Sequence, residues 1–343
     1  MMTITLIAAL AVQAPAIQTV WSTRLQTEIQ SHLVGESAIY FGTNDSFGAL
    51  DQATGRKLWA KSVKAPQLGV FVTAGDGLVF VSVGQGNLIA AEAGSGKTVW
   101  SIKRTGYGSP ITYLNQAIYA EVTQGKLAAI TKGGKISWTA DLGKSSPSAR
   151  PIRYGSSIYV GTKSGAIHAL DKDSGKQNWR HAERKSAVQA LLVSGERLIA
   201  TFDDGSILGL SLSTGQKMWA VYTNNALFGT PLLKEGRLYA VSASGRFYSI
   251  AAETGQELWV KSLSFRQNFG LSQVIGFQDG YLMADRDKVV ALDESGVKKW
   301  EQPIGFEMFG NQPRMLGQDV LLISSHEFRL VRVKQDQPKA VQG

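Results

Sequence analysis

All eight tryptophans of this chain lie on one repeat. Trp21, Trp59, Trp100, Trp138, Trp179, Trp219, Trp259 and Trp300 are separated by 38, 41, 38, 41, 40, 40 and 41 residues. Seven of them follow a glycine by four positions: Gly55, Gly96, Gly134, Gly175, Gly215, Gly255 and Gly296. Self-similarity at this period means one supersecondary unit per copy, stacked on its neighbours, and so a solenoid or a propeller.

Within a period the apolar runs are short. Between Trp179 and Trp219 they cover Val188 to Val193, Leu198 to Phe202, Ile207 to Leu212 and a last segment with Met218 and Trp219. The breaks are Ser194-Gly195-Glu196, Asp203-Asp204-Gly205 and Ser213-Thr214-Gly215. Such clusters make tight turns, because glycine takes positive φ freely and short polar side chains bond nearby backbone. The same punctuation recurs at Gly84-Gln85-Gly86, Gln124-Gly125, Ser164-Gly165 and Ser244-Gly245. No capped amphipathic helix interrupts it. Four strands per copy predict an all-β fold, a propeller of four-stranded antiparallel blades.

The ends set the blade count. After Trp300 there is material for three strands, Gln312 to Leu316, Val320 to Ser324 and Phe328 to Val333. The segment Gln18 to Leu25, with Trp21 and no glycine turn before it, supplies the missing outer strand. That makes eight blades, closed by pairing the two ends of the chain, which removes an open edge. Seven blades with a loose N-terminal segment is the alternative.

The turn motif bears on family. Ala49-Leu50-Asp51-Gln52-Ala53-Thr54-Gly55 before Trp59, Ala169-Leu170-Asp171-Lys172-Asp173-Ser174-Gly175 before Trp179, and Ala291-Leu292-Asp293 with Gly296 and Trp300 stand out. They resemble the pyrroloquinoline quinone (PQQ) type propeller repeat, and the resemblance covers nearly the whole chain. Other copies are degraded, with Ala91-Glu92 for Leu-Asp and Thr131 or Ser211 at the Asp position. A WD40 reading fits less well, since no tryptophan is followed by aspartate. In physical terms the glycine closes a turn, Asp or Thr bonds turn amides, and tryptophan is an apolar plate between blades.

The resemblance implies architecture rather than a cofactor. The family holds quinoprotein dehydrogenases, which use PQQ and a metal. It also holds the propeller subunit of the outer-membrane β-barrel assembly machine, and non-catalytic binding or sensor domains. The dehydrogenases are usually longer, with insertions carrying the site and in several a vicinal cysteine pair. This chain has no cysteine and almost no insertion beyond its period.

The net charge is +9, spread through turns rather than in blocks, as on a solvated basic surface. No run interleaves aromatic and basic residues as nucleic-acid binding would require, so no nucleic-acid partner is expected. At the N-terminus, Ile4 to Val12 is apolar and Ala14-Pro15-Ala16 fits a cleavage signature, although no Lys or Arg precedes it. The expected division is a signal peptide at 1–16, one propeller domain at 17–335 and a polar tail at 336–343. That predicts a periplasmic or secreted monomer which meets a membrane only through a partner; the alternative is a cytoplasmic chain whose apolar start is frayed rather than cleaved. No lipobox cysteine is present, and the apolar stretch is too short to span a bilayer.

Most chemical motifs dissolve on inspection. Gly94-Ser95-Gly96-Lys97-Thr98 resembles a phosphate loop, but Ala91 replaces its first glycine and it sits in a repeat turn. His32, His168, His181 and His326 have no metal-ligand spacing and read as surface or turn residues. Asp203-Asp204 and Asp285-Arg286-Asp287 read as turn caps before acid–base pairs or calcium ligands. No nucleophile motif is present, so no catalytic, cofactor or metal residue is assigned.

One binding constellation remains. The connections from each outer strand to the next inner strand cross one face of a propeller. They carry Arg104, Tyr107, Arg150, Arg153, Arg184, Asn225, Phe228, Phe265, Arg266, Asn268, Phe269, Phe306 and Phe309. An aromatic and arginine-rich collar suits recognition of a protein or peptide partner; the competing reading turns the phenylalanines inward as packing. The expected function is a non-catalytic binding or scaffold module of the cell envelope. The alternatives are a PQQ- and calcium-dependent oxidoreductase and an outer-membrane β-barrel assembly factor.

Overall fold

The computed structural model describes residues 16–63, 69–84, 86–105, 109–223, 225–227, 229–263, 273–285, 287–305 and 313–333. Every regular element among them is a strand, and the 32 strands form eight four-stranded antiparallel sheets. Blades 1 to 7 are consecutive in sequence, from Ile29–Val34 through Lys57–Ser62 in blade 1 to Ile275–Phe277 through Lys298–Pro303 in blade 7. Blade 8 takes Arg314–Leu316, Asp319–Ile323 and Glu327–Val333 from the C-terminal end, and Ile17–Arg24 as its outer strand. The closing pair runs antiparallel from Ile17 opposite Val333 to Arg24 opposite Glu327. The chain is therefore an eight-bladed propeller locked by its own ends, and the seven-blade alternative falls.

Burial follows position in the blade. A middle strand such as Leu78–Val83 is buried along nearly its whole length, because a neighbouring blade covers each face. Such strands read as continuous apolar runs, for the reason that strands of doubly covered sheets do. The outer strand Ile136–Asp141 is mostly exposed, with Trp138 and Ala140 turned in. Each inter-blade layer is a core of its own. At the seam Trp21, Ile29, Ile39 and Phe41 pack with Leu321, Ile323, Phe328 and Leu330, and each such side chain contributes about 1.5–3 kcal/mol.

The repeated glycine has a role the period alone does not show. Each one lies beneath the tryptophan of the preceding blade: Gly55 under Trp21, Gly96 under Trp59, Gly134 under Trp100, Gly175 under Trp138, Gly215 under Trp179, Gly255 under Trp219 and Gly296 under Trp259. At Gly175 φ is +71°, and an added Cβ would sit 2.4 Å from the Trp138 ring. The position thus needs glycine twice, for the left-handed backbone and for the flat contact. The indole N–H completes five joints by donating to a turn carbonyl: Trp21 to Gln52, Trp59 to Ala93, Trp100 to Lys132, Trp138 to Lys172 and Trp179 to Leu212, at 2.8–3.1 Å. Trp300 has no such glycine, because the outer strand of blade 8 comes from the other end of the chain. It packs instead in the cluster holding Val331, Val333 and the half-buried Ile17.

Turn aspartates act as caps. Asp51 Oδ1 accepts from the Thr54 amide at 2.8 Å, and Asp171 Oδ1 accepts from the Ser174 amide at 2.8 Å. Near the axis, hydroxyls tie inner strands together: Ser31 Oγ donates to Val70 O at 2.6 Å, and Ser148 Oγ donates to Val188 O at 2.7 Å.

Candidate functional site at the mouth of the axial channel

The first strand of each blade faces the axis, and residues one period apart stand side by side around it. Gln30, His32, Phe71, Pro110, Arg150, Ile152, Gln189, Leu191, Thr230 and Arg314 line the axial recess. With Ser31, Ser148 and Ala190 they enclose a cavity of about 420 Å³. A second recess of about 480 Å³ adjoins it, shares Ser148, Gln189 and Thr230, and reaches Lys163 and Asp203 in the turns of blades 4 and 5. The channel thus opens on the face crossed by the connections between blades.

The predicted collar divides in the structure. Arg184 and Asn225 flank the turn at Asp203–Gly205 on that face. Arg184 pairs with Asp204, which holds its guanidinium above the usual arginine range, and it lies over the Tyr222 ring at 5.4 Å. The Asn225 carbonyl accepts from Thr223 Oγ1 at 2.7 Å and rests against Gly205. Arg153 lies half-buried on Ile152–Tyr154, where its charge acts on the Tyr119 hydroxyl of blade 3. Arg150 leaves the rim for the channel, where Nη1 donates to Ile111 O at 3.0 Å and both Nη atoms reach Val72 O at 3.4 Å.

Arg104 corrects the reading of a uniform exposed collar. It is only 3% exposed, and it donates to Glu121 O at 2.8 Å and Val83 O at 2.7 Å between blades 2 and 3. Burial pushes it down to about 10, while Glu121 pulls the other way. Its carbonyl contacts make it a tie between blades. Tyr107, Phe228, Phe265, Arg266, Asn268, Phe269, Phe306 and Phe309 lie outside the described residues.

The histidines need a second correction. His181 and His326 sit at a strand end and in a turn, whereas His168 is buried on a middle strand with Nδ1 2.9 Å from Gln177 Oε1. His32 faces the axis, and burial, then Arg314, then Arg150 push it down to about 3. Of the channel residues Arg150 alone was anticipated from sequence. Gln30, His32, Gln189 and Arg314 were missed, although polar residues in inner-strand positions, one period apart, carried the signal.

The donor set bears on the quinone cofactor. The inner cavity presents guanidinium, imidazole, amide and hydroxyl groups and no carboxylate among its described lining residues. Calcium requires several carboxylate or carbonyl oxygens at one point, and no cluster of three or more His, Asp or Glu suited to a metal occurs among the described residues. Asp203 is the one carboxylate among the described residues lining the outer recess, and Asp204 is engaged by Arg184 and by the Ser206 amide at 2.9 Å. These described residues do not fit a calcium-held PQQ.

A closed ring of rigid blades around a polar axial recess defines a PQQ-repeat propeller. The chain belongs to the family described as outer membrane protein assembly factor BamB, which matches residues 43–150, 123–268 and 214–340. The overlap of these matches reflects the interchangeability of the blades. BamB from Moraxella catarrhalis superposes with a TM-score of 0.75 at 17% identity, covering 94% of this chain and 99% of that one. Quinohemoprotein alcohol dehydrogenase from Comamonas testosteroni superposes at 0.76 with 13% identity, covering 99% and 80%. The designed protein Ika8 does so at 0.77 with 16% identity, covering 92% and 100%. At these identities the likeness is one of fold. The serine/threonine-protein kinase AfsK of Streptomyces griseus is 27% identical over 168 residues, 47% of this chain, and the match spans only 17% of the kinase's length.

Proposed function

We propose that this propeller is a non-catalytic module of the cell envelope that holds a protein partner in outer-membrane protein assembly. The observation that carries the reading is the family match, which runs from residue 43 in blade 1 to residue 340 and takes in blades 2 to 7 whole. The geometry supplies a suitable surface. On the face where the channel opens, Arg184 and Asn225 stand on short connections between rigid sheets, beside the half-exposed Tyr222 at the end of an outer strand. Arginine and tyrosine on a preorganised support are the usual anchors of protein recognition, since little side-chain freedom is lost on binding.

The test is chemical crosslinking and affinity capture of the full chain from detergent-solubilised envelopes, read by mass spectrometry. Recovery of β-barrel assembly proteins, reduced in an Arg184→Glu, Tyr222→Ala variant, is the expected result. Absence of any outer-membrane assembly protein overturns the reading. Recovery unchanged by the variant moves the contact to another face.

A further inference from the structure

Lysine and arginine recur along the whole sequence, but the acids that balance them do not. Between Ala93 and Leu170 ten bases meet only two acids, Glu121 and Asp141, a net +8; the rest of the chain holds 26 bases and 25 acids, a net +1. That stretch runs from the turn before the outer strand of blade 2 to the third strand of blade 4, so nearly all the charge falls on one arc of the ring. Both acids are engaged there. Glu121 is buried and its Oε1 accepts from the Gly125 amide at 2.9 Å, while Asp141 Oδ1 accepts from the Gly143 amide at 2.7 Å. Lys97, Lys103, Lys126, Lys132, Lys135 and Lys144 are exposed, as is Lys163. Among the described residues only Lys132 of these has an ion pair, with Asp76 at 3.9 Å. Glu307 and Asp336, the acids outside the described residues, both come after blade 7 in the sequence. In blades 6 and 7, by contrast, Lys234, Lys288 and Lys298 each have an acid at 3.0–3.9 Å. The lysines of the arc border its outer strands at both ends. Lys97 and Lys103 flank the strand Thr98–Lys103; Lys132 and Lys135 precede Ile136–Asp141, Lys144 follows it, and Lys126 lies opposite Asp141. On the same two strands Val99 and Ile136 are 52% and 42% exposed.

We propose that the outer edge of blades 2 to 4 docks directly on an anionic lipid surface. Neighbouring blades in a ring of eight diverge little, so a plane laid against the seam of blades 2 and 3 meets both outer strands. Six residues of strand set the lysines at its two ends about 20 Å apart, and together they present a broad field rather than a point. Lysine suits this partner better than it suits an acidic protein. Its ammonium is a compact, hydrated charge on a flexible stem, fitted to a layer of mobile headgroups, whereas protein interfaces favour arginine and aromatics and are depleted in lysine. The stems let each charge follow the headgroups while Val99 and Ile136 meet the apolar side of the interface. This gives the chain a membrane contact of its own, beyond the one through a partner expected from the sequence. Docking by the edge leaves the channel-mouth face, with Arg184 and Asn225, clear for a protein, and neither reading rests on the other.

Cosedimentation of the full chain with vesicles of equal parts phosphatidylglycerol and phosphatidylcholine, and with phosphatidylcholine alone, tests the proposal. Binding to the anionic vesicles that fades as salt is added, with none to the neutral ones, is expected. A variant carrying Lys97→Gln, Lys103→Gln, Lys135→Gln and Lys144→Gln should bind about a hundredfold more weakly or worse, at about fivefold per lysine. These side chains are exposed, so the variant should keep its fold, which circular dichroism checks. A second variant, Lys234→Gln, Lys261→Gln, Lys298→Gln and Lys299→Gln, removes the same charge from blades 6 and 7 and should lose less than about tenfold. No binding to the anionic vesicles at low salt overturns the proposal, as does equal binding to the neutral ones or equal loss in the two variants. Saturable binding of poly-glutamate without any binding to the vesicles also overturns it and gives the edge to an acidic protein.

Discussion

At the circumference of the ring one pair of residues, a tryptophan on a glycine, is repeated in seven joints. Along the axis the equivalent positions hold glutamine, phenylalanine, proline, arginine, glutamine and threonine in turn. The circumference satisfies its polar groups locally, with indole N–H groups on turn carbonyls and aspartates on turn amides. The axis brings Arg150 and Arg314 together with His32 and the amides of Gln30 and Gln189 around one cavity. A repeated joint can only do the same thing in every blade, which is to hold blades together. A position that differs from blade to blade can build one site in the middle of a symmetric ring. Stability is therefore assigned to the periodic region and recognition to the aperiodic one.

The most severe challenge to that division is removal of Ile17–Arg24. It strips the outer strand from blade 8, bares the edge of Glu327–Val333 and empties the joint of Trp21 on Gly55. The loss should exceed about 4 kcal/mol, the range of a buried tryptophan deletion alone, and the open edge should promote association. Denaturant unfolding and size-exclusion chromatography check this. A truncated chain that stays monomeric with an unchanged midpoint would break the assignment.

Next comes Gly175→Val. The left-handed backbone and the 2.4 Å approach of the Trp138 ring both oppose it, for a combined cost of about 3 kcal/mol. The same substitution at Gly195, where nothing lies within 4 Å of an added Cβ, should cost only the backbone part. Thermal unfolding of the two variants separates strain from contact.

A finer comparison lies within the joints. Trp179 donates to Leu212 O at 2.9 Å, whereas the Trp219 Nε1 is buried without a partner among the described residues. Trp179→Phe should therefore destabilise by about 1 kcal/mol more than Trp219→Phe, because only the first change removes a hydrogen bond. Equal losses would mean that the ring plate alone matters.

The smallest effect is that of pH. His32 is held down to about 3 and His168 is also lowered, both chiefly by burial, against an ordinary value of 6.5. Between those values the unfolded chain binds more protons than the folded one. The stability due to the two neutral rings is thus complete above about pH 6.5 and falls as the pH drops below it. A His32→Gln, His168→Gln variant should show a flatter decline between about pH 6.5 and 5, measured by urea midpoints.

Much of the fold was legible before the structure. Tryptophan spacing, turn glycines and the shortage of one strand at the C-terminal end foretold eight blades and their closure by the segment around Trp21. The candidate site was legible only in part. Arg184 and Asn225 lie on the face expected from topology, but Arg104, similarly placed in sequence, is drawn inside by two carbonyls. His32 and Arg314 gave no local sign of proximity, since they lie in blades that meet only after the ring closes.

What this sequence determined unaided is everything that depends on neighbours within about one period: strands, turns, the blade and its count. Those features follow from local backbone preference and apolar patterning, which each copy of the repeat carries in full. Tertiary structure alone decided that each glycine serves the tryptophan of the preceding blade, and that Arg150 and Arg314 face one cavity. Contacts across blades and across the axis depend on ring closure, a global geometric condition that no single repeat encodes.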